Sequence, residues 1–349
     1  MFGELLRTIM AVLALTAPTV PSTRDDTASL QAQLDAAQDV TLPALPDGSC
    51  YRTRGLWVSR NDTVISSRDG ACIEALGPGE TRLTSPDGDP ITGSAIFVVS
   101  RSAADGADPV NVTIRGLRLI VPDALGMTGI IVAASQVEID AVRVEGAPVE
   151  ALAVTGRGSQ QEVSEHVFVH DSTFAGGTRN VISVTSVRDF ELARCDVTGA
   201  SDTDGAPGNP AAGLDVEPNS VGEPVVDIRI HDNRIAENAG PGILLALAPN
   251  AGPPADAGPI EILRNRIEGN GTKDTPPVRG GIIVEGGQAD GKGRVTIVGN
   301  EIRANAGYGL GGHPTTGTTM VIDAHDNVFA GNSDGRWHFV RTGRGTRLG

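Results

Sequence analysis

A short phrase that contains an asparagine recurs four times in the C-terminal part of this chain. The asparagines are Asn233, Asn265, Asn300 and Asn327, at intervals of 32, 35 and 27 residues. Each lies beside a segment in which apolar and polar residues alternate, which is the periodicity of a strand and not of a helix. A unit that recurs at intervals of roughly 20 to 50 residues indicates a solenoid, in which each turn of chain stacks on the last.

The repeat extends upstream with other residues at the asparagine position. Alignment of the alternating segments gives one column: Leu117, Val142, Ser172, Cys195, Asn233, Asn265, Asn300 and Asn327. Most units then contain a second short strand, followed by Gly and Asn turns. This pattern predicts an all-β fold, a single-stranded right-handed parallel β-helix (solenoid). The column itself is predicted to be structural, because inward asparagines at a bend satisfy backbone groups that would otherwise be buried unpaired.

The beginning of the chain has the features of an exported protein with a capped solenoid. Arg7 precedes an apolar run followed by small residues, which predicts a secretory signal peptide at 1–22. A short N-terminal capping α-helix is expected next, because Asp25 or Asp26 suits the N-cap, and Leu30 and Leu34 share one face. The predicted β-helix domain covers 23–349, divided into a cap helix at 23–39, first coils at 40–109, main repeats at 110–340 and a basic tail at 341–349.

Composition and charge exclude several partners. The chain has 349 residues and a net charge of −15, which argues against nucleic acid because phosphate binding needs clustered Lys and Arg. The apolar run near the N-terminus is too short for a stable membrane span.

Cys50 and Cys72 are candidates for a disulfide in an oxidising compartment. Cys195 falls in the asparagine column and is predicted to be a buried free thiol.

The residues that begin the predicted domain resemble the entry of the pectate-lyase-like superfamily. The resemblance lies in the helix segment 25–37, in Val40-Thr41-Leu42-Pro43 and in Gly48-Ser49-Cys50-Tyr51, and it extends over nearly the whole chain through the repeats. It implies a right-handed parallel β-helix and activity on polysaccharides, as in lyases, hydrolases, C5-epimerases and phage tailspikes. The chain lacks the Asn-Thr-Asp and Gly-His-Gly motifs of polygalacturonase-type hydrolases and the Tyr-Gly-Phe-Asp-Pro-His motif of alginate epimerases. Fold resemblance alone therefore does not name the reaction.

The segment Ala212-Gly213-Leu214-Asp215-Val216-Glu217-Pro218 is the strongest candidate for chemistry, and it resembles a string found in bacterial β-helix proteins of this superfamily. If Leu214 and Val216 point inward, Asp215 and Glu217 must point outward on one face. Alignment places Glu285 and His313 in the column of Glu217. The predicted catalytic residues are therefore Asp215, Glu217, Glu285 and His313. Crowding of Asp215 and Glu217 is expected to raise one pKa, although a solvated strand face is the alternative.

Long insertions beside the second strand are expected to wall a groove around a sugar chain. The predicted substrate-binding residues are Arg179, Asn209, Asn219, Lys273 and Tyr308. No cofactor is required by the sequence, but the acidic pair could instead bind Ca²⁺ with help from Asp202 and Asp204, because this hard cation prefers oxygen ligands. A uronate neutralised in this way would need a base for β-elimination, for which Arg179, His313 and Lys273 are candidates.

The sequence thus predicts a secreted, extracellular bacterial protein that cleaves or modifies a polysaccharide in a lateral groove of the β-helix. A lyase and a glycoside hydrolase remain alternatives, and the two carboxyl groups would act as general acid and general base in hydrolysis. A non-catalytic glycan-binding or surface-interaction β-helix is the second hypothesis, and a tailspike-like adhesion element is the third. The protein is expected to be a monomer or a small homo-oligomer.

Overall fold

The structure is a computed structural model that describes residues 24–349 except for thirteen short stretches, and it gives the backbone alone at residues 81–84, 90–92, 313, 339, 347 and 348. The stretches that it does not describe are 80, 85–89, 93, 102–106, 157–162, 202–209, 219–222, 248–256, 273–278, 286–292, 314–320, 340–346 and 349. The predicted signal peptide lies outside the described residues.

Three parallel β-sheets make up the fold, and successive coils of chain contribute strands to each sheet in turn. We name them sheet 1, with 11 strands, and sheets 2 and 3, with 10 strands each. Every strand pairs in parallel with the equivalent strand of the next coil, as Leu152–Val154 does with Asn180–Val184 in sheet 3. This confirms the predicted all-β right-handed parallel β-helix.

The strands of sheet 1 are Asp39–Thr41, Thr63–Ser66, Val110–Arg115, Ser135–Asp140, Ser164–His170, Val187–Ala193, Val225–His231, Ile260–Leu263, Arg294–Val298, Val321–His325 and Arg347–Leu348. The strands of sheet 2 are Tyr51–Arg54, Cys72–Gly77, Arg118–Ile120, Arg143–Glu145, Thr173–Ala175, Asp196–Thr198, Arg234–Ala236, Arg266–Glu268, Glu301–Arg303 and Val328–Ala330. The strands of sheet 3 are Leu56–Val58, Ala95–Val99, Thr128–Val132, Leu152–Val154, Asn180–Val184, Ala212–Val216, Ile243–Ala246, Gly280–Glu285, Tyr308–His313 and Gly335–Phe339. The remaining elements are an α-helix, a 3₁₀-helix and an antiparallel hairpin: Thr27–Ala36, Asp123–Leu125, and Thr81–Thr84 with Pro90–Thr92.

The bend between sheets 1 and 2 explains the asparagine repeat. The residue before each aligned position has a positive φ, for example Asp232 at 57° and Arg264 at 53°, so the chain turns sharply there. The next residue then points inward. Asn265 shows the resulting pattern, because its Oδ1 accepts from the backbone N–H and the Nδ2 of Asn233 while its Nδ2 donates to the Ile230 carbonyl and to Asn300. The predicted structural ladder is confirmed.

A second asparagine ladder runs parallel to the first. Its members each lie five residues after a member of the first ladder: Asn238, Asn270, Asn305 and Asn332. It marks the bend between sheets 2 and 3. The sequence signal was present in the constant spacing, although the first ladder alone was predicted.

The upstream members of the column fill the same positions without amides. Cys195 is 3% exposed, and its backbone N–H donates to Asn233 Oδ1. Its thiol is free, as predicted, and burial raises its pKa to about 12. Such a thiol is inert because it is not ionised near neutral pH.

The helix Thr27–Ala36 closes the first coil. Asp25 accepts a hydrogen bond from the Thr27 backbone N–H, and Leu30 and Leu34 are buried against the lumen. The side chain of Gln31 donates to the Trp57 carbonyl and accepts from the Trp57 backbone N–H, at 3.0 and 2.9 Å. Since Trp57 lies in the first strand of sheet 3, this amide occupies backbone groups that would otherwise be a free sheet edge.

A disulfide joins Cys50 and Cys72, as predicted, and so connects two neighbouring coils. It closes a loop with a sequence separation of 22 residues. We expect the Cys50→Ser/Cys72→Ser double variant to lose about 3 kcal/mol of unfolding free energy, because the unfolded chain regains the freedom that the crosslink removes. Urea unfolding with and without reductant measures this. Reductant should lower the unfolding midpoint of the unmodified protein but not that of the double variant. Equal midpoints for the two proteins in the absence of reductant would contradict the prediction.

Candidate active site

A pocket of about 210 Å³ opens on the outer face of sheet 3. Its polar lining consists of Thr128, Glu150, Arg179, Ser183, Asp215 and Glu217, with Thr155 and Thr185 beside them. Pockets for drug-sized ligands hold roughly 300–1,000 Å³. This pocket therefore suits a single ring or one charged group of a longer molecule that lies across the sheet.

The strand register places Asp215 on the outside of the solenoid. Its strand neighbours are Ser183 in the preceding coil and Leu244 in the following one. Leu214 and Val216, on either side of Asp215, belong to the luminal core, whereas Leu244 belongs to a separate apolar cluster on the outer face. The columns predicted from the sequence are therefore correct, because alternation along a strand is local and a parallel register transmits it from coil to coil.

Asp215 is nevertheless only 1% exposed. Its Oδ2 accepts a hydrogen bond of 3.1 Å from Asn180, and its Oδ1 is buried with no hydrogen-bond partner among the described residues. Burial is the main reason why the pKa of Asp215 lies well above its ordinary value, and the charge of Glu217 raises it further. The alternative of a solvated strand face is wrong for Asp215. Crowding by Glu217 was the predicted cause of the raised pKa, and the structure adds burial as the larger one.

Glu217 is the member of the pair that solvent reaches, because its side chain is 24% exposed. Arg179 lies 3.8 Å from it, between Nη2 and Oε2, and is half exposed. The positive charge of Arg179 also lowers the pKa values of Asp215 and Glu150, although burial outweighs it at both. The pocket thus combines an accessible carboxyl group, a buried acid beneath it and an accessible guanidinium group.

Glu150, Asn180 and Ser183 complete the pocket, and none of them was predicted to be functional. Asn180 donates to Ser183 Oγ as well as to Asp215, and Ser183 Oγ donates to Glu150 Oε1 at 3.0 Å. All three are buried. Glu150 precedes its strand by two residues, directly beside Asn180 in the next coil. Extending the aligned columns by two residues would have paired these two polar side chains.

A larger pocket of about 440 Å³ lies between the capping helix and the first coil, lined in part by Gln31, Arg54 and Trp57. Its polar groups serve the cap: Gln31 bonds to the Trp57 backbone, and Arg54 lies 3.6 Å from Asp25. The groups of this pocket are therefore engaged in holding the end of the solenoid closed.

Solved structures match the chain, whereas no protein-family profile and no curated protein sequence does. The alginate lyase from Paenibacillus sp. str. FPU-7 has a TM-score of 0.53 and 14% identity, and the alignment covers 91% of this chain and 98% of the lyase. The A-module of the Azotobacter vinelandii mannuronan C-5 epimerase AlgE4 has a TM-score of 0.51 and 14% identity, with 93% and 96% covered.

A tailspike protein of Acinetobacter baumannii bacteriophage Fri1, described as a capsular polysaccharide depolymerase, matches with a TM-score of 0.51 and 12% identity. The alignment covers 93% of this chain, which spans 62% of the length of the tailspike. This chain shares the parallel β-helix fold of these three proteins. The resemblance inferred from the N-terminal segment and the repeats is thus confirmed at the level of the fold.

The other predicted catalytic residues of this β-helix lie outside the pocket. Glu285 shares the column of Glu217, but Ala246 separates the two, so Glu285 is two coils further along the solenoid. The backbone of His313 pairs with Glu285 in the next coil, as predicted. A stack of parallel strands places the first and last of these residues about 14 Å apart. Glu217, Glu285 and His313 therefore occupy one column of sheet 3, and among these three only Glu217 lies beside Asp215.

Among the predicted substrate-binding residues, Arg179 alone is placed in the pocket by the structure. Tyr308 lies on the same sheet several coils away, where its ring stacks on His338 with 4.9 Å between centroids. Asn209, Asn219 and Lys273 lie outside the described residues, and so do Asp202 and Asp204, which were predicted to help bind Ca²⁺.

A different group of residues brings possible metal ligands together on sheet 1. Asp140, His170 and Asp171 each offer an atom within 4.8 Å of the others. Their mixed nitrogen and oxygen set differs from the all-oxygen set that Ca²⁺ prefers. Asp171 also forms a bidentate ion pair with Arg194 in the next coil, at 2.9 and 2.8 Å, which holds the pKa of Asp171 far below its usual range. The group is accounted for as an ion-pair network of the β-helix.

Glu150 predicts a measurable dependence of stability on pH. Burial raises its pKa above the ordinary value of 4.5, so the folded β-helix keeps a proton that the unfolded chain has already lost. The stability that this proton adds is complete below pH 4.5 and is lost as the pH rises through the folded pKa. Glu150→Gln removes this effect. The variant should therefore gain stability relative to the unmodified protein as the pH rises, by up to about 1.4 kcal/mol per unit of pKa difference.

Urea unfolding of both proteins between pH 4 and pH 9 checks this prediction. Glu165→Gln is the matched control, because Glu165 is exposed on sheet 1. A difference between Glu150→Gln and the unmodified protein that stays constant across this range would show that Glu150 loses its proton at the same pH in the folded and unfolded chains.

Proposed function

We propose that this protein is a carbohydrate-active enzyme that binds an extracellular polysaccharide across the outer face of sheet 3 and cleaves it at the pocket. The observation that carries the proposal is the accessible Glu217 beside the buried Asp215, whose pKa burial raises above its ordinary value. Perturbed acids that converge on a concave site are typical of catalytic centres. The matched lyase, epimerase and depolymerase, whose names refer to polysaccharides, support the substrate class.

Arg179 favours an acidic polysaccharide. Its guanidinium group is half exposed at the mouth of the pocket, and a planar guanidinium binds carboxylates by two parallel hydrogen bonds. A uronate placed there would share Arg179 with Glu217. The positive charge would also stabilise the negative charge that develops on the substrate when a proton next to its carboxylate is removed.

The contact between Asp215 and Glu217 favours a lyase. Hydrolysis needs two carboxyl groups on either side of the glycosidic bond, about 5–5.5 Å apart in retaining enzymes and about 6.5–9.5 Å apart in inverting ones. Two carboxyl groups that share one proton lie on the same side of the substrate. Such a pair suits β-elimination, in which Glu217 accepts a proton from one carbon and the electron pair of the broken C–H bond forms the double bond. The glycosidic oxygen leaves with the electron pair of its C–O bond and takes up a proton from water.

Hydrolysis is the second candidate because of Glu150. Three hydrogen bonds of 3.0, 3.1 and 3.1 Å connect Glu150 Oε1 to Asp215 Oδ2 through Ser183 Oγ and Asn180 Nδ2. The two carboxyl oxygens therefore lie at most about 9 Å apart, which is compatible with an inverting pair. The raised pKa of Glu150 would let it supply a proton to a leaving oxygen.

The proposed function includes the compartment in which the protein acts and its possible dependence on a metal ion. The disulfide between Cys50 and Cys72 fits an oxidising compartment, and none of the described helices has the length and apolar character of a membrane span. Ca²⁺ remains a proposal for the acidic insertion at Asp202 and Asp204. At Asp215 itself a proton is the better ligand, because Arg179 and Glu217 already balance each other's charge there.

A panel of acidic and neutral polysaccharides tests the function in one assay, with the absorbance of unsaturated uronates and the release of reducing ends recorded together. A lyase produces both signals, and a hydrolase produces reducing ends alone. Arg179→Gln should weaken action on acidic substrates. Binding of a polysaccharide without either signal would overturn the enzyme proposal in favour of a glycan-binding β-helix.

A further inference from the structure

The contacts of the Asn180 side chain define which end of its amide is which. The backbone N–H of Ala212 donates to Asn180 Oδ1 at 3.0 Å. A backbone N–H cannot accept, so the oxygen must lie on this side and the nitrogen on the other. The nitrogen then donates to Ser183 Oγ and to Asp215 Oδ2, each at 3.1 Å. Asn180 is 0% exposed, so solvent does not compete for these bonds.

This orientation restricts where Asp215 can carry a hydrogen. Its Oδ2 already accepts from an N–H donor, and an oxygen that carries a hydrogen accepts such a bond less well than an oxygen without one. Its Oδ1 is buried. When neither Asp215 nor Glu217 carries a hydrogen, this oxygen has no hydrogen-bond partner among the described residues. An ionised carboxylate with a buried, unpaired oxygen next to a second carboxylate is costly. The side chains of Asp215 and Glu217 lie within hydrogen-bonding reach of each other, so a hydrogen on Oδ1 that is donated to Glu217 removes both penalties.

We propose that Asn180 is a positioning residue that keeps the acidic hydrogen of Asp215 on Oδ1, directed at Glu217. The hydrogen therefore lies between the buried acid and the carboxyl group that solvent reaches. Its use in catalysis rests on the proposed function, whereas its position does not. Among the described residues, the other charged groups that face the pair are Glu150 and Arg179.

The second hydrogen of the amide orders the opposite side of the pocket. Because Ser183 Oγ accepts from Asn180, its own hydrogen is free to go to Glu150 Oε1. Because Oε1 already accepts from Ser183, the hydrogen of a neutral Glu150 is better placed on Oε2, away from Asn180. One amide thus turns the acidic hydrogens of Asp215 and Glu150 away from each other, and Ser183 is the link that belongs to the Glu150 side alone.

Carboxyl-carbon NMR of protein labelled in its Asp and Glu side chains tests the proposal without a substrate. In the unmodified protein, the carbons of Asp215 and Glu217 should both respond to the same two pH steps, as coupled groups do. The signals that disappear in the Asp215→Asn and Glu217→Gln variants identify the carboxyl carbons of these two residues. In Asn180→Asp, the new carboxylate still accepts from Ala212 but offers no hydrogen. The hydrogen of Asp215 should then turn to Oδ2, and Glu217 should lose its response to the higher step.

Ser183→Ala is the matched control, because it removes the link to Glu150 and should leave the coupling of Asp215 and Glu217 intact. A Glu217 signal that keeps both steps in Asn180→Asp would overturn the proposal. If that variant fails to fold, the side-chain amide of Asn180 in the unmodified protein provides the test. Both amide hydrogens should keep the chemical shifts of hydrogen-bonded protons at pH values below and above the higher titration step. Loss of one of these bonds below that step would place the acidic hydrogen on Oδ2 and contradict the proposal.

These outcomes are separate from those of the polysaccharide panel. Coupled titration with no activity on any polysaccharide would overturn the enzymatic role and support the position of the hydrogen. Activity that depends on Glu217, together with independent titration of the two carboxyl groups, would support the enzyme and overturn the role of Asn180.

Discussion

Glu217→Gln is expected to lower the rate of polysaccharide cleavage by about 10²–10⁴-fold, the range that general acid–base catalysis contributes. Glutamine keeps the shape of the side chain but can neither accept nor return a proton. Arg179 would lose its ionised partner and keep its exposed position at the mouth of the pocket, so substrate affinity should fall little. The measurement is kcat and KM on the best substrate of the panel, and the expected change lies mainly in kcat.

Asp215→Asn should have a loss of similar size if the two carboxyl groups act as one unit, and the double variant should then be little worse than either single variant. Glu165→Gln, on exposed sheet 1 surface, controls for the loss of a negative charge. Glu285→Gln separates a compact site from an extended one. A rate loss at Glu285 as large as that at Glu217 would mean that the reacting bond lies two coils away from the pocket, and unchanged rates at both Glu217 and Asp215 would remove the pair from catalysis.

Asn265→Ala is expected to lower the unfolding free energy by about 3–5 kcal/mol. The side chain is 1% exposed and satisfies groups in two neighbouring coils. Its removal leaves the Asn233 backbone N–H, the Asn233 amide, the Ile230 carbonyl and Asn300 Oδ1 short of a partner. Each buried group that loses its partner costs about 1–3 kcal/mol, and the total falls below the sum because the coil relaxes.

Asn327→Ala is the matched control for the ladder. Asn327 ends the series of amides, and it is only partly buried, so water can replace the lost bonds. We expect a loss of about 1–2 kcal/mol there. Urea unfolding measured by circular dichroism compares the two variants. Equal losses would show that the ladder does not depend on burial, and a loss below about 1 kcal/mol at Asn265 would contradict its predicted structural role.

The fold was accessible from the sequence because its signals are local and repeated. The alternation that puts Leu214 inside and Asp215 outside spans a few residues. The repeated asparagine then aligned one coil with the next, although the intervals vary from 27 to 35 residues. The second ladder carried the same information five residues later. A stack of parallel strands turns such columns directly into neighbours in space.

The composition of the pocket was only partly accessible. Asp215, Glu217 and Arg179 were predicted as site residues, but Glu150 and Asn180 were not. Glu150 lies 33 residues from Ser183 and Asn180 lies 35 residues from Asp215, and neither belongs to a motif.

By itself, the sequence determined the architecture, the face of each strand residue and the acidic pair, because strand periodicity and turn residues act over short distances along the chain. Only the tertiary structure decided that Asp215 is buried, that Glu285 lies outside the pocket and that one amide faces two acids. Burial and contact depend on which side chains cover a position from neighbouring coils. Those neighbours lie more than 20 residues away along the chain, so the pattern around any single residue does not reveal them.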